Sequence, residues 1–278
     1  MYFFRREKVQ CRYQFSLRDA VDLTLLQRAL TTALASAPYY TQRLVQEKRE
    51  MWLEPNTEPC LVYHGSTMRN IPEQTNGYLF CISCEGDTVY FDWHHFLLDG
   101  HGVSPLFTSI LEQYCNLRYG TAFAVQQIVC DPPYDMDAML AEYPPVECGS
   151  DAIQRDVVQT YEGALRRTRV CLSKQSLVEK ALANNAKPVS ALMGLLCMAM
   201  REYLGKEKIQ YSYSSDTRDV AGVPHALYNC VCSFEHTVQL QAQTRLADFI
   251  SDVDADIKRD LQPQSKRRRM TEQMGWVY

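Results

Sequence analysis

The chain has 278 residues, with 29 Lys+Arg against 33 Asp+Glu and a net charge of −4. Hydrophobic residues make up 46% and charged residues 22%, which excludes disorder as the overall state. The mild acidity argues against a nucleic-acid partner, whose phosphates need a basic face.

The length fits one large or two modest domains, enough to bury a core without staples. The longest strongly apolar run, 191–200, is about half of the ~20 residues a helix needs to cross a bilayer, so no membrane span is expected. At the N-terminus, Arg5 and Arg6 follow the apolar residues and no long apolar stretch comes after them, so no signal peptide is expected. Eleven cysteines are present. Most sit in apolar stretches (Cys81, Cys84, Cys115, Cys171, Cys197, Cys230, Cys232) and read as buried free thiols. That points to a reducing, cytoplasmic location. Cys81-x-x-Cys84 has metal or redox spacing, but no second CxxC or His pair follows at zinc-finger distance. No metal site is expected.

In chain order, residues 8–18 alternate as a strand through Val9, Cys11, Tyr13, Phe15 and Leu17. A helix is predicted from about Asp22, with Leu23, Leu26, Leu30, Ala33 and Ala37 on one face and Pro38 as its stop. Short strands follow at 52–53, 60–63, 78–84 and 88–94, the last two joined by a hairpin at Glu85-Gly86-Asp87. Ser104-Pro105 carries a helix-start signal, Ser as cap and Pro at the first helical position, and Gly120 a stop. Residues 126–150 are Pro-punctuated and read as a crossover linker. Beyond it come a strand at 168–172, a helix at 174–184, an almost wholly apolar helix at 190–204 expected to be deeply buried, strands at 209–215 and 230–240, and an amphipathic helix from Leu246. The basic cluster 266–269 reads as a solvated helix face.

The informative stretch is 91–100. Val89, Phe91 and Trp93 face one way, Tyr90 and Asp92 the other, and the strand runs into His94 and His95. An Asp99-Gly100 turn follows, then a helix. Loops after strands are where rigid scaffolds present reactive groups. A histidine holds or releases a proton near neutral pH, and Asp99 could orient an imidazole or pair with a distant cation. Two other readings compete: incidental histidines at a strand end, and a metal site. Adjacent strand residues point to opposite faces, so His94 and His95 are poorly placed to share an ion.

His94-His95-Phe96-Leu97-Leu98-Asp99-Gly100 resembles the HHxxxDG signature of the chloramphenicol-acetyltransferase-like superfamily. The flanks agree in order and spacing: "APYYTQRL" before the motif, and "PVSALMGLLCMAMREYLG" and "YSYSSDTRDVAGVP…YNCVCSFE" after it. The overall pattern is nearest the bacterial alcohol-acetyltransferase and condensation-domain-like branch. The resemblance implies an α/β fold, an α+β sandwich of two lobes with a channel between them: an N-terminal lobe over 1–125, the linker 126–150 and a short C-terminal lobe over 151–278.

It also implies transfer of an acyl group from a thioester, either acyl-CoA or an acyl carrier protein, to a small alcohol or amine acceptor. His95 would be the catalytic base. His94 and Asp99 would support the site, Gly100 would serve the turn, and Arg218 would pair with Asp99, with Arg169 and Arg201 as alternatives. The nucleophile belongs to the substrate, so no catalytic Ser or Cys and no bound cofactor is expected. Ser214, Ser215 and Asn229 are candidate oxyanion donors. Superfamily members normally continue well past the position of Tyr278, and nothing here resembles the Asp-Phe-Gly-Trp-Gly motif of the plant-type branch. A short second lobe would leave strand edges unpaired and favour self-association or a complementing chain. The alternative function is a catalytically silent, condensation-like fragment with a binding or scaffolding role.

Overall fold

The structure, a computed structural model, describes residues 10–48, 50–144 and 170–275. The chain divides into two units. One is Met1–Tyr134 with Ala221–Val231, and the other is Asp135–Val220 with Cys232–Trp276.

The first unit opens with strand β1 (Gln10–Ser16), helix α1 (Leu23–Ala35) and a 3-10 turn at Pro38–Thr41. Strands β2 (Gln42–Glu47), β3 (Glu50–Pro55), β4 (Val62–His64), β5 (Phe80–Glu85) and β6 (Thr88–His94) follow, then helix α2 (Gly100–Tyr119). Helix α1 starts where the pattern predicted; Asp22 caps it by accepting the Leu25 N–H, and Leu26, Ala29, Leu30, Ala33 and Leu34 form its buried stripe. The main sheet has the order β1-β6-β5-β4, antiparallel except for the parallel β4–β5 pair. β2 and β3 form a separate antiparallel pair.

β6 lies between β1 and β5, so both of its edges are paired, and all of its residues but Tyr90 are buried. Val89, Phe91 and Trp93 enter an aromatic core. There Phe91 stacks on Phe80 at 5.6 Å, and Phe107 of α2 meets Phe91 edge-on. On the opposite face the buried Asp92 receives Arg12 through two bonds, Nε–Oδ1 at 2.6 Å and Nη2–Oδ2 at 2.7 Å. A buried carboxylate persists only with such pairing. Cys81 and Cys84 lie three apart on β5, hence on opposite faces, and burial pushes the Cys81 thiol up to about 12. Both are buried thiols, in keeping with the small-hydrophobe reading.

The second unit holds α3 (Met136–Glu142), α4 (Lys174–Ala183), α5 (Pro188–Leu204), β7 (Lys208–Asp216), α6 (Arg218–Ala221), β8 (Val231–Gln239), α7 (Leu246–Asp260) and α8 (Pro263–Gly275). β7 and β8 form a two-stranded sheet. Phe249, Val253 and Ile257 of α7 pack with Cys197, Ile209 and Tyr211. At Gly194 a Cβ would come within 2.8 Å of an Ile250 side-chain carbon, which shows how closely α5 and α7 approach.

Several expectations need correction. α5 is not deeply buried: Ser190, Ala191, Gly194 and Cys197 are covered, whereas Tyr203 is 85% exposed and Val189, Leu196, Met200 and Leu204 are also exposed. Strand β7 and the helices α4 and α7 pack against α5 and cover only one stripe of it. The basic cluster is not a solvated face either. Lys266 is buried with its Nζ 2.9 Å from Asp219, Arg267 donates to the Val220 carbonyl, and only Arg268 is fully on the surface. The linker region contains α3, and 221–231 return to the first unit, where Asp131 accepts the His225 N–H and Tyr228 donates to the Pro132 carbonyl. In the strand expected at 168–172, residues 168–169 lie outside the described residues and 170–172 are irregular.

One prediction arises here. Asp254 is buried on α7 and accepts from the Lys187 N–H, Ser190 Oγ and Lys258 Nζ. Burial alone would raise its carboxyl, but these donors outweigh it and hold the carboxyl below its ordinary value. A depressed folded value stabilises above the unfolded value of ~3.9 and is lost as pH falls through the folded one. Wild-type melting temperature is therefore expected to drop more steeply below about pH 4 than that of Asp254→Asn. Parallel curves would contradict this.

Candidate active site

The motif loop is held by its own backbone. Strand β6 ends at His94, whose N–H donates to the Leu79 carbonyl and whose carbonyl accepts the Leu97 N–H. Tyr39 Oη donates to the Leu97 carbonyl at 2.9 Å, Trp93 Nε1 to the Leu98 carbonyl at 3.1 Å and Tyr40 Oη to the Gly102 carbonyl at 2.7 Å. Burial pushes the Tyr39 phenol up, so it stays a donor. The "YY" of the upstream segment thus clamps the loop from both ends.

His94 is fully buried, and its Nδ1 accepts the Phe96 N–H at 3.1 Å. That bond ties its ring to the backbone of the loop. His95 is half-buried. Asn229 reaches it with Nδ2 at 3.2 Å from Nδ1 and 3.3 Å from the His95 carbonyl oxygen.

Asp99 is 2% exposed and is the N-cap of α2. Its Oδ1 accepts the Gly102 N–H at 2.7 Å and its Oδ2 accepts the Cys230 N–H at 2.9 Å. This corrects the expected start at Ser104. Helix α2 begins at Gly100 because Asp99 supplies the cap, and Ser104 Oγ instead donates back to the Gly100 carbonyl. The carboxylate does two jobs: it starts the helix and ties down the chain next to Asn229.

Gly100 is the first residue of α2, and its backbone is not left-handed. A Cβ there would meet only the Tyr13 hydroxyl, at 3.2 Å. The demanding position is Gly102. A Cβ there would lie 1.8 Å from the Leu227 carbonyl oxygen, inside any contact distance. Gly102 therefore admits the 221–231 segment that carries Asn229. The sequence signal was the second glycine of Asp99-Gly100-His101-Gly102, which periodicity cannot interpret because its partner is 125 residues away.

Arg218 is buried in the second unit at the start of α6, with its backbone N–H and Nη1 on Asp216 Oδ1 at 2.9 and 3.1 Å. Arg201 donates to the Gln241 carbonyl, and Arg169 lies outside the described residues. Of the candidate oxyanion donors, Ser214 Oγ shares a bond with Ser233 Oγ and Ser215 Oγ donates to the Asp216 carbonyl, so of the three only Asn229 bonds to His95.

A cleft of about 270 Å³ beside α2 is walled by His101, Pro105, Ser109, Ile128 and Leu227. His95 does not line it, and it is smaller than the ~300–1,000 Å³ usual for ligand pockets. Among the described residues no helix is long and apolar enough to cross a membrane, and no group of three His, Cys, Asp or Glu side chains could hold a metal ion.

No protein-family model matches the chain, and no curated protein does. Solved structures do. Polyketide synthase associated protein 5 from Mycobacterium tuberculosis superposes with a TM-score of 0.69 at 19% identity, over 93% of this chain and 71% of that one. The first condensation domain of the CDA synthetase gives 0.62 at 15% identity, over 93% and 70%. TRI101 of F. graminearum, complexed with coenzyme A and deoxynivalenol, gives 0.60 at 11% identity, over 96% and 74%. Identities this low speak to the fold. With a mixed α/β architecture and these likenesses spanning more than nine-tenths of its length, the chain has the fold seen in these condensation-domain and TRI101 structures.

Proposed function

We propose that the protein is an acyltransferase that moves an acyl group from a thioester, on coenzyme A or an acyl carrier protein, to an alcohol or amine. The observation that carries this reading is the way His95 is presented. It is half-buried at the end of a central strand, on a loop whose carbonyls at 97, 98 and 102 are each tied down by an aromatic side chain. A base must be held close to its target geometry to be effective. The fold supports the reading: it is that of condensation domains and of a protein complexed with coenzyme A and a second ligand. The likeness to a polyketide synthase associated protein favours a carrier protein as one source of donor.

The reaction balances without a protein nucleophile. His95 takes the proton from the acceptor O–H or N–H as that atom attacks the thioester carbonyl carbon. The tetrahedral intermediate collapses, the C–S bond breaks, and the leaving thiolate takes the proton back from His95. The products are an ester or amide and a free thiol. His94, Asp99 and Arg218 are assigned structural roles, and Gly100 is a helix-start residue. No resident cofactor takes part in this scheme.

The test is a panel of acyl-CoA and acyl-pantetheine thioesters, each with alcohol and amine acceptors. Thiol release that depends on the acceptor, with the acylated acceptor seen by mass spectrometry, is the expected result. Absence of transfer across the panel and from a loaded carrier protein would overturn the proposal.

A further inference from the structure

Helix α8 meets one edge of β8 as a neighbouring strand would. Ser233 N–H donates to Gln273 Oε1 at 3.4 Å, and the Ser233 carbonyl oxygen accepts from Gln273 Nε2 at 3.2 Å and from Arg269 Nε at 2.6 Å. A backbone N–H only donates and a carbonyl oxygen only accepts, so Ser233 itself fixes which end of the Gln273 amide faces each group. Across the sheet, Ser214 Oγ shares a bond with Ser233 Oγ and Gln210 donates to Thr237, so β7 runs along the other edge. The N–H and C=O of a strand residue leave by the same edge, and residues two apart share that edge. The side chains of α8 therefore seal the outer edge of β8 at Ser233.

Glu235 is the next residue on that outer edge. Among the described residues no hydrogen bond joins its backbone to α8. Instead Phe234, Glu235 and His236 line a cavity of about 240 Å³ together with Arg268, Arg269 and Glu272 of α8. That volume lies below the ~300–1,000 Å³ usual for small-molecule pockets, but an added strand needs only a trough along an edge. Unpaired N–H and C=O groups on an edge are a template for another chain.

The charges select which chain. Glu272 is engaged by Arg269 Nη1 at 3.3 Å, and Asp260, also on the wall, is engaged by Tyr213 Oη and His236 Nε2, each at 2.6 Å. The Glu235 side chain belongs to the exposed face of β8. Arg268 is exposed, and among the described residues its guanidinium forms no ion pair. A guanidinium offers a preformed fork to a carboxylate. A second copy of β8 fits poorly, because antiparallel pairing about Glu235 would set two glutamates directly opposite.

We propose that this trough docks an extended acidic peptide segment of another protein, which adds to the outer edge of β8 at Glu235 and sets a carboxylate on Arg268. Main-chain bonds supply the grip and the Arg268 pair supplies the selection. Gln273 and Arg269 close the site at Ser233, so the added strand is short. All of these residues lie in the second unit, and the site does not depend on the acyl-transfer reading.

The test is amide exchange and peptide titration on the whole chain labelled with ¹⁵N. In the protein alone, the Glu235 N–H is expected to exchange about tenfold faster than the Ser233 N–H, which Gln273 covers. The probes are acetylated five-residue peptides of alternating Val and Thr with Asp placed at each position in turn, beside the same peptides with Asn for Asp. At least one Asp peptide is expected to slow exchange at Glu235 and to bind about fivefold more tightly than its Asn counterpart, the scale of an exposed ion pair. In Arg268→Ala, which removes an exposed side chain and is expected to melt like wild type, that preference is expected to disappear. A Glu235 N–H as protected as Ser233 in the free protein overturns the proposal, since the edge is then already taken. So does a panel in which no peptide protects Glu235, or a preference for Asp that survives Arg268→Ala.

Discussion

Gly102→Ala is expected to be the most damaging single methyl in the first unit. The added Cβ would sit 1.8 Å from the Leu227 carbonyl oxygen and 2.8 Å from its carbonyl carbon. Backbone atoms cannot rotate away as a side-chain tip can, so α2 or the 221–231 segment must move. Ordinary overpacking costs ~1–3 kcal/mol, and a backbone clash belongs at or above the upper end. About 3 kcal/mol corresponds to a fall of roughly 6–12 °C in melting temperature for a chain of this size. The displaced segment carries Asn229 and Cys230, so the His95 environment goes with it. Gly100→Ala is the control. It meets only the Tyr13 hydroxyl, a side-chain end that can shift, and is expected to melt close to wild type. A Gly102→Ala protein that also melts like wild type would show that the close approach of α2 and the returning segment is not tight.

Asp99→Ala should come next. It removes the cap of α2 and the acceptor for the Cys230 N–H in one step, both buried. Hydrogen bonds to a charged group are worth ~1.5–3 kcal/mol each, and loss of a cap costs ~0.5–2 kcal/mol. Together the two losses come to about 2–5 kcal/mol. Asp99→Asn keeps one oxygen but turns an amide hydrogen toward a backbone N–H, so it too should melt lower. The penalty is structural first and kinetic second. An Asp99→Asn protein that melts like wild type yet loses all transfer would place Asp99 in the chemistry itself.

The local parts of this architecture were legible in the sequence. The alternation of 88–94 gives β6, Asp22 and the leucine spacing give α1, and Gly120 ends α2 with φ +64° as a left-handed cap. Each of these depends on residues within one or two turns. The motif likewise pointed to His94, His95 and Asp99 together. What stayed hidden depends on distant partners. Ser104-Pro105 carries a genuine start signal, yet Asp99 wins because the Cys230 N–H fixes its carboxylate at the helix end. The apolar composition of α5 suggested burial, but composition does not report how many elements surround a helix. Lys266 read as solvated because its partner Asp219 lies 47 residues away. Asn229 was named only among candidate oxyanion donors, and its contact with His95 spans 134 residues.

The central claim is that His95 is the base of an acyl transfer, and the most direct measurement is the His95→Ala protein assayed beside wild type. Acceptor-dependent thiol release is followed with the best thioester pair, and thermal melting is recorded on the same samples. His95 is half-buried, and its hydrogen bonds among the described residues are with Asn229, so its loss should leave the fold standing. A positioned base contributes ~10²–10⁴-fold, so release should fall by at least that lower figure while the melting temperature stays within about 3 °C. Full activity in a folded His95→Ala protein would contradict the account.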